Sequence, residues 1–147
     1  MDDDNMAPWV RVGRDERMRP RGSPPKTSVA IGFGSPAQDS GVSRLDLNDV
    51  LVRNPQATFL MRAGSRAMHA AGIDPSDLIL VDRAIEAQHG HIVIAVADNE
   101  FVCRRLVRDG AQLSLKAEGE GVDITPRDGE ELRLWGVVTT VIKALPV

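Results

Sequence analysis

The sequence predicts an all-β domain, mostly antiparallel and of irregular barrel or sandwich shape, with one short helix. Apolar, β-branched stretches recur from position 58 onward, separated by Gly, Pro, Asp and Asn turn signals. One stretch alone carries helix boundary signals. The 147 residues are 42% hydrophobic and 27% charged, enough apolar material for a single core and too much for a wholly disordered chain.

Residues 1–28 differ from the remainder. Pro8, Pro20, Pro24 and Pro25 interrupt scattered apolar residues, and six basic against five acidic side chains give a charge of +1. With −3 over the whole chain, the other 119 residues carry −4. The segment reads as a flexible N-terminal arm before a domain over 29–147. It is too short and lacks the amphipathic period for a helix-turn-helix head. Trp9, Val10 and Val12 offer a small apolar anchor that could fold back on the domain or dock elsewhere, with fraying of the short arm as the preferred reading.

One helix of two turns is expected in the stretch that holds Leu45, Leu47, Val50, Leu51 and Val52, N-capped by Asp46 and closed by Asn54-Pro55. Seven strands follow: Thr58–Ala63; Leu78–Asp82 after the turn Asp74-Pro75-Ser76-Asp77; His91–Val96; Glu100–Leu106 beyond the two-residue turn Asp98-Asn99; the alternating Gln112–Lys116; Val122–Thr125; and Leu132–Trp135 leading into Gly136–Ile142. The last run is too apolar for an exposed edge and reads as a central strand or a dimer seam.

Composition narrows the function. The acidic balance argues against a general binder of phosphate backbones. Two Trp, three Phe and no Tyr cannot build a base-stacking platform, so no direct nucleic-acid binding is expected. Cys103 alone excludes an internal disulfide or a cysteine-rich zinc site. No apolar run is long enough to span a membrane and no leader pattern is read at the start, so a soluble, cytoplasmic protein is expected. His89 and His91 have the spacing of two metal ligands without a third, and the turn reading is preferred; no metal and no cofactor are expected. Cys103 beside Arg104 and Arg105 is read as a core thiol over a reactive one. Arg104, Arg105, Arg108 and Lys116 read as a solvated charged face, with an acidic partner as the alternative.

The order of several short motifs resembles the UmuD and LexA family of self-cleaving serine peptidases, and UmuD more closely because the repressor head is missing. They are Gly32-Phe33 with Ser35-Pro36-Ala37, Arg44-Leu45-Asp46-Leu47-Asn48, Asn54-Pro55-Gln56-Ala57-Thr58-Phe59, Met68 with Ala71-Gly72-Ile73, Asp77 to Asp82, His89-Gly90, Ile92 to Ala95, Glu100-Phe101 and Gly136-Val137-Val138. The resemblance implies a dimeric β domain with a Ser/Lys dyad. An activated recombinase filament stimulates such domains to cut their own arm, and the trimmed dimer joins a Y-family DNA polymerase in error-prone synthesis. The implied bond here is Ile31-Gly32, with a β-branched residue where the family has Cys or Ala.

At the dyad the chain departs from the pattern. The family's Gly-Asp-Ser-Met run corresponds to Ser65-Arg66-Ala67-Met68, so Ala67 stands at the nucleophile and has no lone pair with which to attack. Arg104 stands at the general base. A lysine can be desolvated to neutrality near pH 7–8, a shift of about 3 units, whereas arginine stays charged. Ser65 is the candidate for rescue; on an extended strand it lies about 6–7 Å from the expected position, too far for acyl transfer. The leading expectation is therefore a catalytically inactive, dimeric UmuD-like protein of the SOS response, acting as polymerase accessory or antagonist. The alternatives are an active peptidase cutting at Ile31-Gly32 and a regulatory module unrelated to polymerases.

Overall fold

The computed structural model describes residues 9–11, 44 and 46–147. The remainder of the 1–28 arm and the pair Ile31-Gly32 lie outside the described residues.

A five-residue helix, α1 (Leu47–Leu51), begins where Asp46 accepts the Asn48 N–H at 2.9 Å, the expected cap. It is shorter than the two turns expected, because Val52 is already extended. The strands are β1 (Trp9–Arg11), β2 (Thr58–Arg62), β3 (Leu78–Asp82), β4 (Ile92–Ala97), β5 (Glu100–Asp109), β6 (Gln112–Lys116) and β7 (Arg133–Ile142). They form one sheet in the order β1-β2-β3-β7-β4-β5-β6. Every pair is antiparallel, so the all-β, antiparallel reading holds.

Two expectations change in detail. Val122–Thr125 makes only a single bridge, Ile124 to Leu115, because Asp123 turns back to take the Ala117 N–H at 2.8 Å. In its place β1, from the arm, pairs Trp9, Val10 and Arg11 with Met61, Leu60 and Phe59 of β2.

The C-terminal run is a central strand: β7 is bonded to β3 on one side and β4 on the other. β4 buries Val93, Ile94 and Ala95 in succession, so both of its faces are covered. Val93 and Ala95 join Leu106, Leu115 and Val137 in one apolar cluster, while Ile94 joins Met61, Met68, Ile73, Ile79 and Val81 in the other. Asp98 and Asn99 both have positive φ, 50° and 62°, the geometry of a tight two-residue hairpin joining β4 to β5. The β4–β7 register slips between Ile94 and Ala95, leaving Trp135 as a bulge. Arg83 serves that bulge: its Nε donates to the Trp135 carbonyl at 2.9 Å and its guanidinium lies 4.5 Å over the ring. Phe59 and Phe101 meet the same indole edge-on at 5.1 and 5.3 Å.

No helix among the described residues is long and apolar enough to cross a membrane.

Candidate functional site

β2 ends at Arg62, and residues 64–68 form a bent loop leading to a 3-10 turn over His69–Ala71. The loop is folded around Met68, whose carbonyl accepts from Ala71 and Ile73 at 3.0 and 3.1 Å and whose side chain is buried in the core. That anchor places Ala67 at 2% exposure.

Against this loop lies the chain from Ala117 to Val122. Glu118 N–H donates to the Ala67 carbonyl at 2.8 Å, the Glu118 carbonyl accepts from Ala70 at 2.7 Å, and Glu120 N–H donates to the Arg66 carbonyl at 3.0 Å. So close an approach requires glycine. A Cβ on Gly119 would stand 2.3 Å from the Arg66 carbonyl oxygen, and one on Gly121 would stand 2.8 Å from the Ala67 methyl.

Arg104 comes from β5, opposite Val93 of β4, and is 9% exposed. Its Nε donates to the Val122 carbonyl at 3.0 Å and its Nη1 to the Cys103 carbonyl at 2.8 Å. Positions 67 and 104 therefore abut adjacent residues of one segment, Gly121 and Val122. Thirty-seven residues of sequence separate them; the sheet brings them to the same place.

Ser65 does not lie on a strand. It sits in the bend, exposed, and its Oγ accepts the Ala67 N–H at 3.3 Å. The extended spacing expected from the sequence is thus replaced by a local turn of a kind serine often makes. The hydroxyl faces its own backbone, and no histidine or lysine bonds to it among the described residues.

The charges around this centre are matched locally. Arg105 clamps Glu118 with Nε and Nη2 at 2.9 and 3.0 Å and gives Nη1 to the Gly90 carbonyl at 2.7 Å. Arg66 pairs with Glu120 at 3.3 Å, and Lys116 faces Asp123 at 3.9 Å. Of the expected charged face, Arg104 is thus turned inward and Arg105 and Lys116 are engaged by acids. His69 bonds to Asp74, whose other oxygen receives Lys143 at 2.8 Å; Lys143 also bonds to Asp77. The Lys143 ammonium, and then His69, hold the Asp74 carboxyl down at about 2. Burial pushes the Cys103 thiol up to about 12, against the pull of Arg104, which favours the core reading over the reactive one. His89 and His91 accept backbone N–H groups from Arg108 and Gln88 at 2.9 and 3.1 Å, the arrangement of a turn. No group of three metal-ligating side chains converges among the described residues.

Residues 25–139 match the family model for Peptidase S24-like proteins. The chain is 40% identical to Protein ImpA of Salmonella typhimurium over 111 residues, covering 76% of each chain. It is 36% identical to Protein MucA of Escherichia coli over 120 residues, 81% of this chain and 82% of that one. The LexA repressor of Photobacterium profundum is 30% identical over 139 residues, 91% of this chain and 70% of the repressor. The chain belongs to the Peptidase S24-like family. The resemblance to UmuD and LexA drawn from short motifs is therefore correct.

Sequence reasoning singled out positions 67 and 104 and did not single out the 117–122 segment that lies against both. The glycines at 119 and 121 were the available signal.

Proposed function

We propose that this chain is a non-cutting member of its family, an UmuD-like protein that works through protein contacts. The reading rests on one observation: a methyl group and a permanently charged guanidinium stand at the positions to which the family resemblance assigns nucleophile and base. Neither can perform its step. A methyl carbon has no electron pair for the scissile carbonyl, and a guanidinium does not take up a proton. Arg104 is moreover committed to two backbone carbonyls, and Ser65 to the Ala67 N–H.

The family resemblance supplies the setting: SOS-associated mutagenesis in the cytoplasm, as a homodimer that meets a Y-family DNA polymerase as accessory or antagonist. With Ile31-Gly32 intact, the arm is retained in that assembly.

The test is incubation of the purified full chain at mildly alkaline pH, with and without a recombinase filament on single-stranded DNA, followed by intact mass. An unchanged mass of 15.9 kDa is expected. A fragment beginning at Gly32 overturns the proposal. Titration with a Y-family polymerase then tests the setting: a defined complex supports it, and no complex at micromolar concentration returns the chain to the class of regulatory modules outside that pathway.

A further inference from the structure

Arg104 is a buried cation without a counter-ion. Nine-tenths of the residue is buried, yet its two hydrogen bonds are to neutral carbonyls. No carboxylate pairs with it among the described residues. An ionised group removed from water is costly unless it is paired. Of the five N–H donors of a guanidinium, two are engaged here and three remain. The two on Nη2 are not sealed in protein. Among the described residues Nη2 has no partner, and no buried side-chain nitrogen or oxygen lacks one, so Nη2 opens to solvent.

The surroundings leave Arg104 as the surplus charge. Residues 65–67, 104–105 and 116–123 hold four cations, Arg66, Arg104, Arg105 and Lys116, and three anions, Glu118, Glu120 and Asp123. The pairs Arg66–Glu120, Arg105–Glu118 and Lys116–Asp123 account for all but one. His69 is turned to Asp74. A single positive charge with free, forked N–H donors matches a monoanion of planar geometry. Next to it stands an apolar side chain, Val122, 75% exposed on the residue whose carbonyl holds the guanidinium.

We propose that Arg104 makes this centre a carboxylate-binding site for a peptide: the position that would take up a proton in a cutting relative instead holds an anion. The inference rests on the non-cutting reading, since a carboxylate held there is not turned over. The carboxylate belongs either to a peptide C-terminus or to an Asp or Glu side chain.

The experiment follows the Arg104 Nε–Hε resonance of the ¹⁵N-labelled full chain, assigned by its loss in Arg104→Gln. Four probes are titrated: N-acetyl-Ala-Val with a free C-terminus, the same dipeptide amidated, N-acetyl-aspartic acid amide, and inorganic phosphate. A saturable shift with a carboxylate probe is expected, with binding at least about ten-fold weaker for the amidated dipeptide, as loss of a charge-assisted bond implies. The tighter of the two carboxylate probes identifies the source. Absence of a saturable shift with both carboxylates overturns the proposal, as does phosphate binding as tightly as they do. Arg104→Gln should weaken binding at least about ten-fold, read on neighbouring backbone amides; undiminished binding overturns the proposal. Should that variant not fold, the acid-against-amide comparison on the unaltered chain decides alone. A Gly32 fragment sinks the non-cutting reading in its own assay, so the two failures are distinguishable.

Discussion

At position 119 the added atom of an alanine would lie 2.3 Å from a carbonyl oxygen that is itself held by Glu120 and His69 N–H groups at 3.0 and 3.2 Å. The oxygen cannot retreat without breaking those bonds. Gly119→Ala is therefore expected to cost about 2–3 kcal/mol, within the range for carbon added where there is no room. For a chain of this length that lowers Tm by about 5–10 °C in calorimetry. A change below about 0.5 kcal/mol would mean that the 66–70 and 117–121 segments are not packed as described. Restoring chemistry is a second residue-level matter. Ala67→Ser alone supplies a hydroxyl without a base and should leave the mass unchanged. Ala67→Ser with Arg104→Lys adds an amine that burial can bring to neutrality near pH 7–8, a shift of about 3 units. The double variant is expected to release a Gly32 fragment slowly at alkaline pH, as read by mass spectrometry. If it stays intact, the cleft or the scissile segment has also diverged, and β-branched Ile31 is the first place to look. Residue types at 67 and 104 were legible in the sequence. The bond from Arg104 to Val122, eighteen positions on, was not, because it depends on how β5 lies beside the 117–122 segment.

Individual elements were legible where one physical rule dominated. Leu78–Asp82 and Gln112–Lys116 were placed to the residue, the first as a buried run after a Pro-Ser-Asp turn and the second by strict alternation. Asp98-Asn99 was a turn because both residue types tolerate positive φ. Val122–Thr125 misled because β-branching alone does not make a strand when Asp123 bonds its own neighbourhood. A contact no pattern announced ties the end of β7 to the turn before β3: Lys143 bonds Asp74 and Asp77, 69 and 66 positions away. Its pH dependence has a definite sign. Asp74 is lowered from 3.8 to about 2, first by its Lys143 bond, so its contribution is complete above pH 3.8 and is lost as pH falls toward 2. Asp77 moves the same way and for the same first reason. Lys143 is raised above 10.5 by Asp74 and Asp77, so its contribution is complete below that value and lost at higher pH. Carboxyl ¹³C titration should give Asp74 a midpoint near 2. Lys143→Met should move that midpoint upward toward 3.8, and an unmoved midpoint would refute the pairing.

For the whole molecule, six of the seven strands were legible, while β1 and the order of the strands were not. Nothing in the composition of Arg133–Ile142 says that it lies between β3 and β4, since both flanking pairs join residues at least 35 apart in sequence. That order leaves β1 and β6 at the two margins of the sheet. β6 is met on its outer side by one bridge, Leu115 to Ile124, so most of that edge offers backbone groups for pairing. Beyond β7 the C-terminal residues Leu145 and Val147 are exposed, as is Val122 in the segment that follows β6. Unpaired strand edges and exposed apolar side chains favour association. Taken with the family resemblance, they give a quantitative expectation. Light scattering on the full chain at micromolar concentration should return about twice 15.9 kDa, and dilution should lower Tm, since a dimer's stability depends on protomer concentration. The arm gives this experiment a second use. Because β1 pairs with β2 of the same protomer, a chain lacking residues 1–12 is expected to remain a dimer and to lose only the protection of β2 amides from exchange. If that chain instead sediments as a monomer, the arm itself holds the protomers together. A full chain that remains monomeric at hundred-micromolar concentration would remove the dimer from the proposed function, while leaving the chemistry at positions 67 and 104 untouched.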